Sequence, residues 1–323
     1  MSEQAAVGAQ PSPGEWRGIS VSAPGSIMVM GEHAVLFGHR AIACAVNRYM
    51  HVRLVRRSDR EVHIRSALGN ASGTLDALPR EENLGFVLAT IGLFADQLPS
   101  GFELDIRSEF SHTVGLGSSA AVTAALVAAL QACCGESTAP DRVFDRALAV
   151  VHQVQGRGSG TDLAASVYGG LIGYTVSPRC IDPLPGLPDI SLYYAGYKTR
   201  TPEVLARVAQ SSIGLEPLHG GLYALMHSST EAAETAIRAG DWAQLGKLMN
   251  IYQGLMDALG VNDQTLAQMI YRLRGNPDVL GCKISGSGLG DCVLALGHDT
   301  ELARDFQRIE VAVSGQGLHL EPF

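Results

Sequence analysis

The feature that most constrains the fold is a glycine-rich turn that runs directly into a strong helix former, HTVGLGSSAAVTAALVAAL, at residues 112–130. Gly115 and Gly117 allow the backbone to turn and to approach a ligand closely. The start of a helix leaves N–H groups unpaired and carries partial positive charge. Ser118 or Ser119 could cap this helix or turn a hydroxyl toward a metal or phosphate. The segment therefore predicts either an anion cradle suited to a nucleotide or an ordinary capped helix after a tight turn.

The composition is that of a chain that can bury a full core. Hydrophobic residues make up 46% of the 323 positions and charged residues 17%, which predicts one large domain or two of ordinary size. The net charge of −8 argues against a general binder of nucleic acid or of anionic membranes, although local cations could still hold an anionic ligand. Six scattered cysteines without a C-x-x-C pair are typical of reduced thiols and predict a cytoplasmic protein.

Strands and helices mix along the chain without the regular alternation of a doubly wound sheet, so we expect an α+β fold of two domains. A proline-rich segment, SPRCIDPLPGLPD, marks the predicted boundary. The predicted division is a flexible tail at 1–19, an N-terminal domain at 20–182 and a C-terminal domain at 183–323. Pro24-Gly25 predicts a break between two short strands in the first domain. Helices are predicted in the second domain at 202–211, 216–238, 241–258 and 262–274.

Three further segments join glycines to one or two titratable residues and then to an apolar strand or helix. They are APGSIMVMGEHAVLFGHRA at 23–41, QGRGSGTDLAASVYGG at 155–170 and KISGSGLGDCVLALG at 283–297. Glycine clusters of this density cost conformational entropy, so they favour places where the backbone approaches another group closely. The chain has no G-x-x-x-x-G-K-[ST] sequence, which argues against a Walker loop.

Together with the opening turn, these segments resemble the signature motifs of the GHMP kinases, the superfamily of galactokinase, homoserine kinase, mevalonate kinase and phosphomevalonate kinase. APGS…GEHAVLFGHRAIACAV resembles the first motif, GLGSSAAVTAAL the second and KISGSGLGDCVLAL the third, in the right order across most of residues 20–297. The resemblance implies the two-domain GHMP kinase fold, with an N-terminal domain like ribosomal protein S5 domain 2 and a ferredoxin-like C-terminal domain. It also implies ATP and Mg²⁺ as cofactors.

The second motif is the ATP-binding motif of the family, and the resemblance carries its role onto six residues here. They are Gly115, Leu116, Gly117, Ser118, Ser119 and Ala120. Among them, Ser119 is the implied Mg²⁺ contact, a role that is compatible with capping the helix.

The family's catalytic aspartate falls on Asp162, in the stretch GSGTDLA. An ionised carboxylate within reach of a substrate hydroxyl can take its proton as the hydroxyl attacks the γ-phosphate of ATP. Without the resemblance, Asp162 could equally be the N-cap of the helix LAASVY. The resemblance favours the catalytic role.

Substrate contacts are implied at the first motif, at a basic loop and at the third motif. Glu32 and His33 in GEH resemble the family's substrate-pocket pair, although they could instead be buried polar residues that hold a strand end. Lys198, in GYKTRTPEV, could bind a carboxylate or phosphate of the substrate, or be a solvated loop charge. Ser285 and Gly286 are the implied contacts in the third motif.

Three positions depart from the family pattern. Ser26 stands where family members usually carry a lysine that acts on the attacking hydroxyl or the aspartate. The difference implies a replacement cation such as Lys198, slower chemistry or no kinase activity. Val151 lies eleven residues before Asp162, at the place of a Mg²⁺-binding glutamate. Asp291 brings a carboxylate close to the phosphates, where it would either help to hold Mg²⁺ or repel them.

The first motif favours ATP-dependent phosphorylation of mevalonate to 5-phosphomevalonate, in the mevalonate route to isoprenoids. The aspartate segment instead resembles the phosphomevalonate kinase pattern, and Arg157, Lys198 and Arg200 could bind the phosphate of such an acceptor. Ser26 leaves open a decarboxylase of a phosphorylated mevalonate, and Ser26 with Val151 leaves open a non-catalytic nucleotide-binding module. The expected partner is a small-molecule substrate, with no nucleic acid and no membrane. Helices of the second domain could cover the active site or pack on a second subunit in a homodimer.

Overall fold

The computed structural model describes residues 17–111 and 114–323. The predicted tail at 1–19 lies outside the described residues except for its last three positions, and so do the first two residues of the segment HTVGLG. The described part of the chain forms two β-sheets and eight α-helices. This arrangement confirms the predicted α+β class.

The first sheet has eight strands in the described residues, with the order β12-β1-β2-β5-β3-β4 and with β6 and β7 attached beside β2. Its strands are β1 (Gly18–Met30), β2 (Ala41–Arg56), β3 (Glu61–Ser66), β4 (Gly69–Thr74), β5 (Phe102–Ser108), β6 (Leu171–Thr175), β7 (Cys180–Leu184) and β12 (His319–Pro322). All pairs are antiparallel except β3 with β5.

The second sheet is antiparallel, with the order β11-β8-β10-β9. Its strands are β8 (Ile190–Lys198), β9 (Val279–Ser285), β10 (Gly290–Gly297) and β11 (Gln307–Ile309). The helices are α1 (Gly85–Phe94), α2 (Ser118–Cys133), α3 (Pro140–Gln155), α4 (Thr161–Tyr168), α5 (Thr201–Ser211), α6 (Glu216–Ala239), α7 (Trp242–Ala258) and α8 (Gln264–Arg274). Helices α5 to α8 confirm the four helices predicted in this part of the chain.

Helix α2 packs on the first sheet, in contact with three other helices. Its alanines give it a narrow profile, and it packs against β1, β2 and the helices α1, α3 and α4. Twelve of its sixteen residues are buried, so it is apolar on nearly all sides rather than amphipathic. This burial fixes the position of its N-terminus, where the glycine-rich loop ends.

Strand β1 is continuous, so the prediction of two short strands separated at Pro24-Gly25 was wrong. The register between β1 and β2 shifts between Pro24 and Gly25, which marks an irregularity of the β-bulge kind. A bulge accommodates the missing N–H of a proline without ending the strand. The first part of the first motif, including Ser26, therefore lies on this one strand.

The proline-rich segment is not purely a linker, because it contains β7, which pairs with β6 in the first sheet. The last strand, β12, returns to pair with β1 in that same sheet. The division into domains at 182 and 183 stays a prediction, and residues 319–322 lie in the sheet of the earlier segment. Among the described residues, no helix combines the length and the apolar character needed to cross a bilayer.

Candidate active site

The glycine-rich loop leads into α2 without a serine cap. The N-cap residue is Gly117, with a φ of 63°, and no side chain caps the helix there. The capping alternative for Ser118 or Ser119 is therefore wrong, and the first N–H groups of α2 remain available to an anion. We refer to residues 114–120 as the cradle.

Two glycines of the cradle are required because other motifs press against them. A Cβ at residue 117 would lie 2.1 Å from Ser26 Oγ, and one at residue 115 would lie 2.3 Å from Asp291 Oδ1. Both distances are far shorter than any normal contact. The backbone N–H of Ser26 also donates to the carbonyl of Leu116 at 3.1 Å. Strand β1 and the turn of the third motif thus meet at the cradle.

We expect Gly115→Ala to weaken ATP binding, because the new methyl group would displace Asp291 or distort the cradle. The KM for ATP should rise about tenfold, equivalent to about 1.4 kcal/mol. Gly254→Ala is the matched control, since Gly254 lies on α7 and a Cβ there meets no atom within 4 Å. Steady-state kinetics with varied ATP would check the prediction. An unchanged KM for ATP in Gly115→Ala would contradict it.

Asp162 lies in the first turn of α4 and faces β1. The N-cap of α4 is Gly160, again without a side-chain cap, so the N-cap alternative for Asp162 is wrong. Ser26 Oγ donates a hydrogen bond to Asp162 Oδ1 at 2.9 Å, and Ser26 itself is fully buried. A Cβ at residue 117 would lie 3.6 Å from Asp162 Cβ, so the carboxylate is beside the cradle. The structure thus brings the predicted catalytic residue and the predicted ATP-binding residues together.

The surroundings of Asp162 act on its pKa in opposite directions. Burial raises the pKa of its carboxyl above the usual aspartate value, and the nearby negative charge of Asp291 raises it further. The hydrogen bond from Ser26 and the positive charge of Lys198 lower the pKa. Lys198 Nζ lies 2.8 Å from Asp291 Oδ2 in an ion pair. The position of Ser26 therefore supplies a neutral donor, and Lys198 supplies the cation.

Glu32 is buried in an ion pair that the sequence analysis missed. Its partner is Lys283, whose side chain is 0% exposed and comes from the third motif. Tyr252 donates its hydroxyl to the backbone carbonyl of Glu32 at 2.8 Å, and Lys283 Nζ lies 5.4 Å from the centroid of the Tyr252 ring. The available signal was a lysine inside the apolar run of GCKISG, because a buried lysine requires a partner.

His33 follows Glu32 in a strained backbone conformation, with a φ of 59°. Its Nε2 donates to the carbonyl of Ser287 at 2.9 Å, and burial lowers its pKa and favours the neutral ring. The second ring nitrogen, Nδ1, is buried without a hydrogen-bond partner among the described residues, as is Glu32 Oε2. Buried polar atoms without a protein partner are candidates for hydrogen bonds to a ligand.

The third motif joins this region to β1. Ser285 Oγ donates to the carbonyl of Met28 at 3.0 Å. Gly286 has a φ of 96°, and a Cβ there would lie 3.5 Å from Asp291 Oδ2. Ser285 and Gly286 therefore lie beside the candidate site, and their contact with substrate stays a prediction.

Other candidate residues lie further out or have apolar surroundings. Arg157 is exposed in the loop before α4, and Arg200 is exposed at the start of α5. Val151 is buried on α3, and a Cβ at residue 158 would lie 2.9 Å from its Cγ1. At the place of the expected metal glutamate, this chain thus has an apolar contact that packs the loop before Asp162.

Comparison with known proteins finds similarity to kinases over most of the chain. The family profile of the GHMP kinases N terminal domain matches residues 85–170, and that of the GHMP kinases C terminal domain matches residues 233–309. The mevalonate kinase of Methanothermobacter thermautotrophicus is 34% identical over 279 residues, which is 85% of this chain and 89% of that protein. The mevalonate kinase of Aeropyrum pernix is 28% identical over 324 residues, covering 95% and 99% of the two chains.

Solved structures share the fold at lower identity. The Methanococcus jannaschii mevalonate kinase matches with a TM-score of 0.78 at 20% identity, over 94% of this chain and 99% of that one. The L. major mevalonate kinase in complex with R-mevalonate matches with a TM-score of 0.76 at 22% identity, over 92% of this chain and 96% of that one. The similarity therefore extends over both sheets and is not confined to the cradle.

Proposed function

We propose that this chain, which belongs to the GHMP kinase family, transfers the γ-phosphoryl group of ATP to the 5-hydroxyl of mevalonate. The observation that carries the proposal is the placement of Asp162 beside the uncapped N-terminus of α2, which joins a proton acceptor to an anion-binding site. The similarity to mevalonate kinases over 85% and 95% of this chain supports the choice of acceptor.

The chemistry that follows is an in-line displacement. The hydroxyl oxygen of the acceptor forms a bond to the γ-phosphorus while the bond from that phosphorus to the bridging oxygen breaks, and ADP leaves with the electron pair. Asp162 Oδ2 is free of the Ser26 hydrogen bond and accepts the hydroxyl proton. Burial raises the pKa of Asp162, so its ionised carboxylate is a stronger base than that of an ordinary aspartate. The N–H groups at the start of α2 bind the negative charge of the phosphates.

The acceptor would be oriented by the first motif. His33 Nδ1 carries a lone pair in the neutral ring, so it can accept a hydrogen bond from a hydroxyl of mevalonate. The Glu32–Lys283 pair fixes the start of the turn that holds His33. An acceptor that lacks this hydroxyl would leave the buried Nδ1 atom without a hydrogen-bond partner. The site should therefore disfavour such acceptors.

The residues present fit Mg²⁺ as an ion that arrives with the nucleotide. Ser119 offers a hydroxyl oxygen at the start of α2, and no group of three His, Cys, Asp or Glu side chains in the described residues could enclose a metal. Mg²⁺ commonly keeps several waters and takes its other ligands from phosphates. We therefore propose Ser119 as its protein contact. Mg²⁺ bound there would neutralise charge on the phosphates.

The compartment that fits the chain is the cytoplasm. All six cysteines lie in the described residues and are free thiols, and four of them are buried. Free, unpaired cysteines are typical of reducing compartments.

The proposed function is tested by ADP release from purified protein with ATP and Mg²⁺, offered mevalonate, 5-phosphomevalonate or no acceptor. We expect turnover with mevalonate well above the rate without an acceptor. Turnover confined to 5-phosphomevalonate would contradict the proposal and indicate a phosphomevalonate kinase. Release of CO₂ in that reaction would instead indicate a decarboxylase. ATP binding without turnover in any mixture would contradict the enzyme and favour a nucleotide-binding module.

A further inference from the structure

Lysine is scarce in this chain, and two of its lysines lie at the candidate site. The sequence contains only three lysines. Lys198 forms an ion pair with the buried Asp291 beside the cradle, and Lys283 forms one with the buried Glu32 of the first motif. Lys247, in contrast, is exposed on α7. Both lysines of the site come from the second sheet and meet groups that belong to the first and third motifs.

Asp291 holds the ammonium of Lys198 from a rigid position. Its backbone has a φ of 70°, which is uncommon outside glycine, and its side chain is only 6% exposed. Gly115 and Gly286 leave the space that the carboxylate fills. One oxygen binds Lys198 Nζ at 2.8 Å, and the other, Oδ1, is buried without a partner among the described residues. A buried carboxylate in this state fixes its cation firmly, because losing the pair would leave an uncompensated charge.

Lys198 is the more exposed partner of this ion pair. Its side chain is 33% exposed, in contrast to that of Asp291, so a ligand can reach it. The charges of both residues act on Asp162, with opposite sign. Because Ser26 is neutral, Lys198 is the cation identified beside Asp162 in the described part of the chain.

We propose that Lys198 is a catalytic residue, the cation that stabilises negative charge on the transferring phosphoryl group, and that Asp291 is the positioning residue that holds it. The proposal rests on the proposed function and goes beyond a role of Lys198 in binding the acceptor. Phosphoryl transfer depends on cations positioned where charge is carried in the transition state. The Asp291 carboxylate neither binds the phosphates nor reacts, since it acts through Lys198.

The test is a cycle of Lys198→Met, Asp291→Asn and the double variant, with Lys198→Arg and the matched control Lys247→Met. We expect Lys198→Met to lower kcat by about 10²–10³-fold, while the KM for mevalonate changes by less than about threefold. Lys198→Arg should recover at least about tenfold of that loss. Asp291→Asn should lower kcat less, and the double variant should match Lys198→Met, because a positioning residue adds nothing once its target is gone.

The pH dependence separates this role from a structural one. Removing the cation raises the pKa of Asp162, so the acid limb of the kcat profile should move to higher pH in Lys198→Met. Removing the anion lowers that pKa, so the limb should move to lower pH in Asp291→Asn. The double variant buries no unpaired charge, which keeps the test valid if Lys198→Met is unstable.

A kcat for Lys198→Met and for the double variant within about threefold of the wild-type value would overturn the proposal. A rise confined to the KM for mevalonate would also overturn it, in favour of simple substrate binding. In both cases the wild type still turns over mevalonate, so the proposed function stands. A wild type without turnover would overturn the proposed function and this inference together.

Discussion

Replacing Asp162 with asparagine is expected to lower kcat by about 10²–10⁴-fold, the range that a positioned general base contributes. The amide keeps the size of the side chain and can still accept a hydrogen bond from Ser26, but it cannot take a proton. The KM for ATP should change little, because the cradle binds the phosphates without Asp162. Steady-state kinetics with mevalonate as acceptor would measure both constants.

The same carboxylate should govern the acid side of the pH profile. Burial raises its pKa above the usual value of 3.8, and the base acts only when it is ionised. Activity should therefore fall as the pH drops through this raised pKa, and the acid limb should disappear in Asp162→Asn. Asp96→Asn, at an exposed position after α1, is the matched control and should leave kcat unchanged. Retention of more than about a tenth of kcat in Asp162→Asn would contradict the role of a base.

Replacing Lys283 with methionine is expected to lower the free energy of unfolding by about 3–5 kcal/mol, the largest loss of stability among the variants proposed. Both charges of the Glu32–Lys283 pair are buried, and burial raises the pKa of Glu32 and lowers that of Lys283. Without Lys283, Glu32 must either stay charged without a partner or take up a proton. The melting temperature should fall by several degrees, since a loss of this size shifts it by about 5 °C in a chain of this length.

A second variant distinguishes the lost pair from lost packing. Glu32→Gln combined with Lys283→Met leaves no buried charge, so it should be more stable than Lys283→Met alone. Lys247→Met on the exposed face of α7 should leave the melting temperature unchanged. A single variant as stable as the wild type, or a double variant less stable than the single one, would contradict this account of the pair.

Local patterns in the sequence identified the parts of the site that depend on backbone chemistry. Glycine spacing before a helix start made an anion cradle one of two interpretations of the segment. The role of Asp162 was implied only by the resemblance to the GHMP kinase motifs. The helices of the second half were predicted from apolar periodicity. Such features are local, so the sequence carries their signal directly.

Features that depend on distant contacts were missed or left open. The Glu32–Lys283 pair joins residues 251 positions apart, and no periodicity links them. The sequence left two roles open for Asp291, which were to bind Mg²⁺ or to repel the phosphates. Its contact with Lys198 was missed, because that contact forms only when β8 and β10 pair. The continuity of β1 through Pro24 and the return of β12 to the first sheet likewise depend on neighbouring strands.

The most direct test of the central claim is the phosphorus NMR spectrum of the product formed from mevalonate and ATP. The account predicts one new phosphomonoester signal, formed in step with ADP and split by the methylene protons of carbon 5. An unsplit signal would place the phosphate on the tertiary hydroxyl and contradict transfer to the 5-hydroxyl. ADP formed together with free phosphate alone would show that the site hydrolyses ATP without using the acceptor, which would contradict the claim as well.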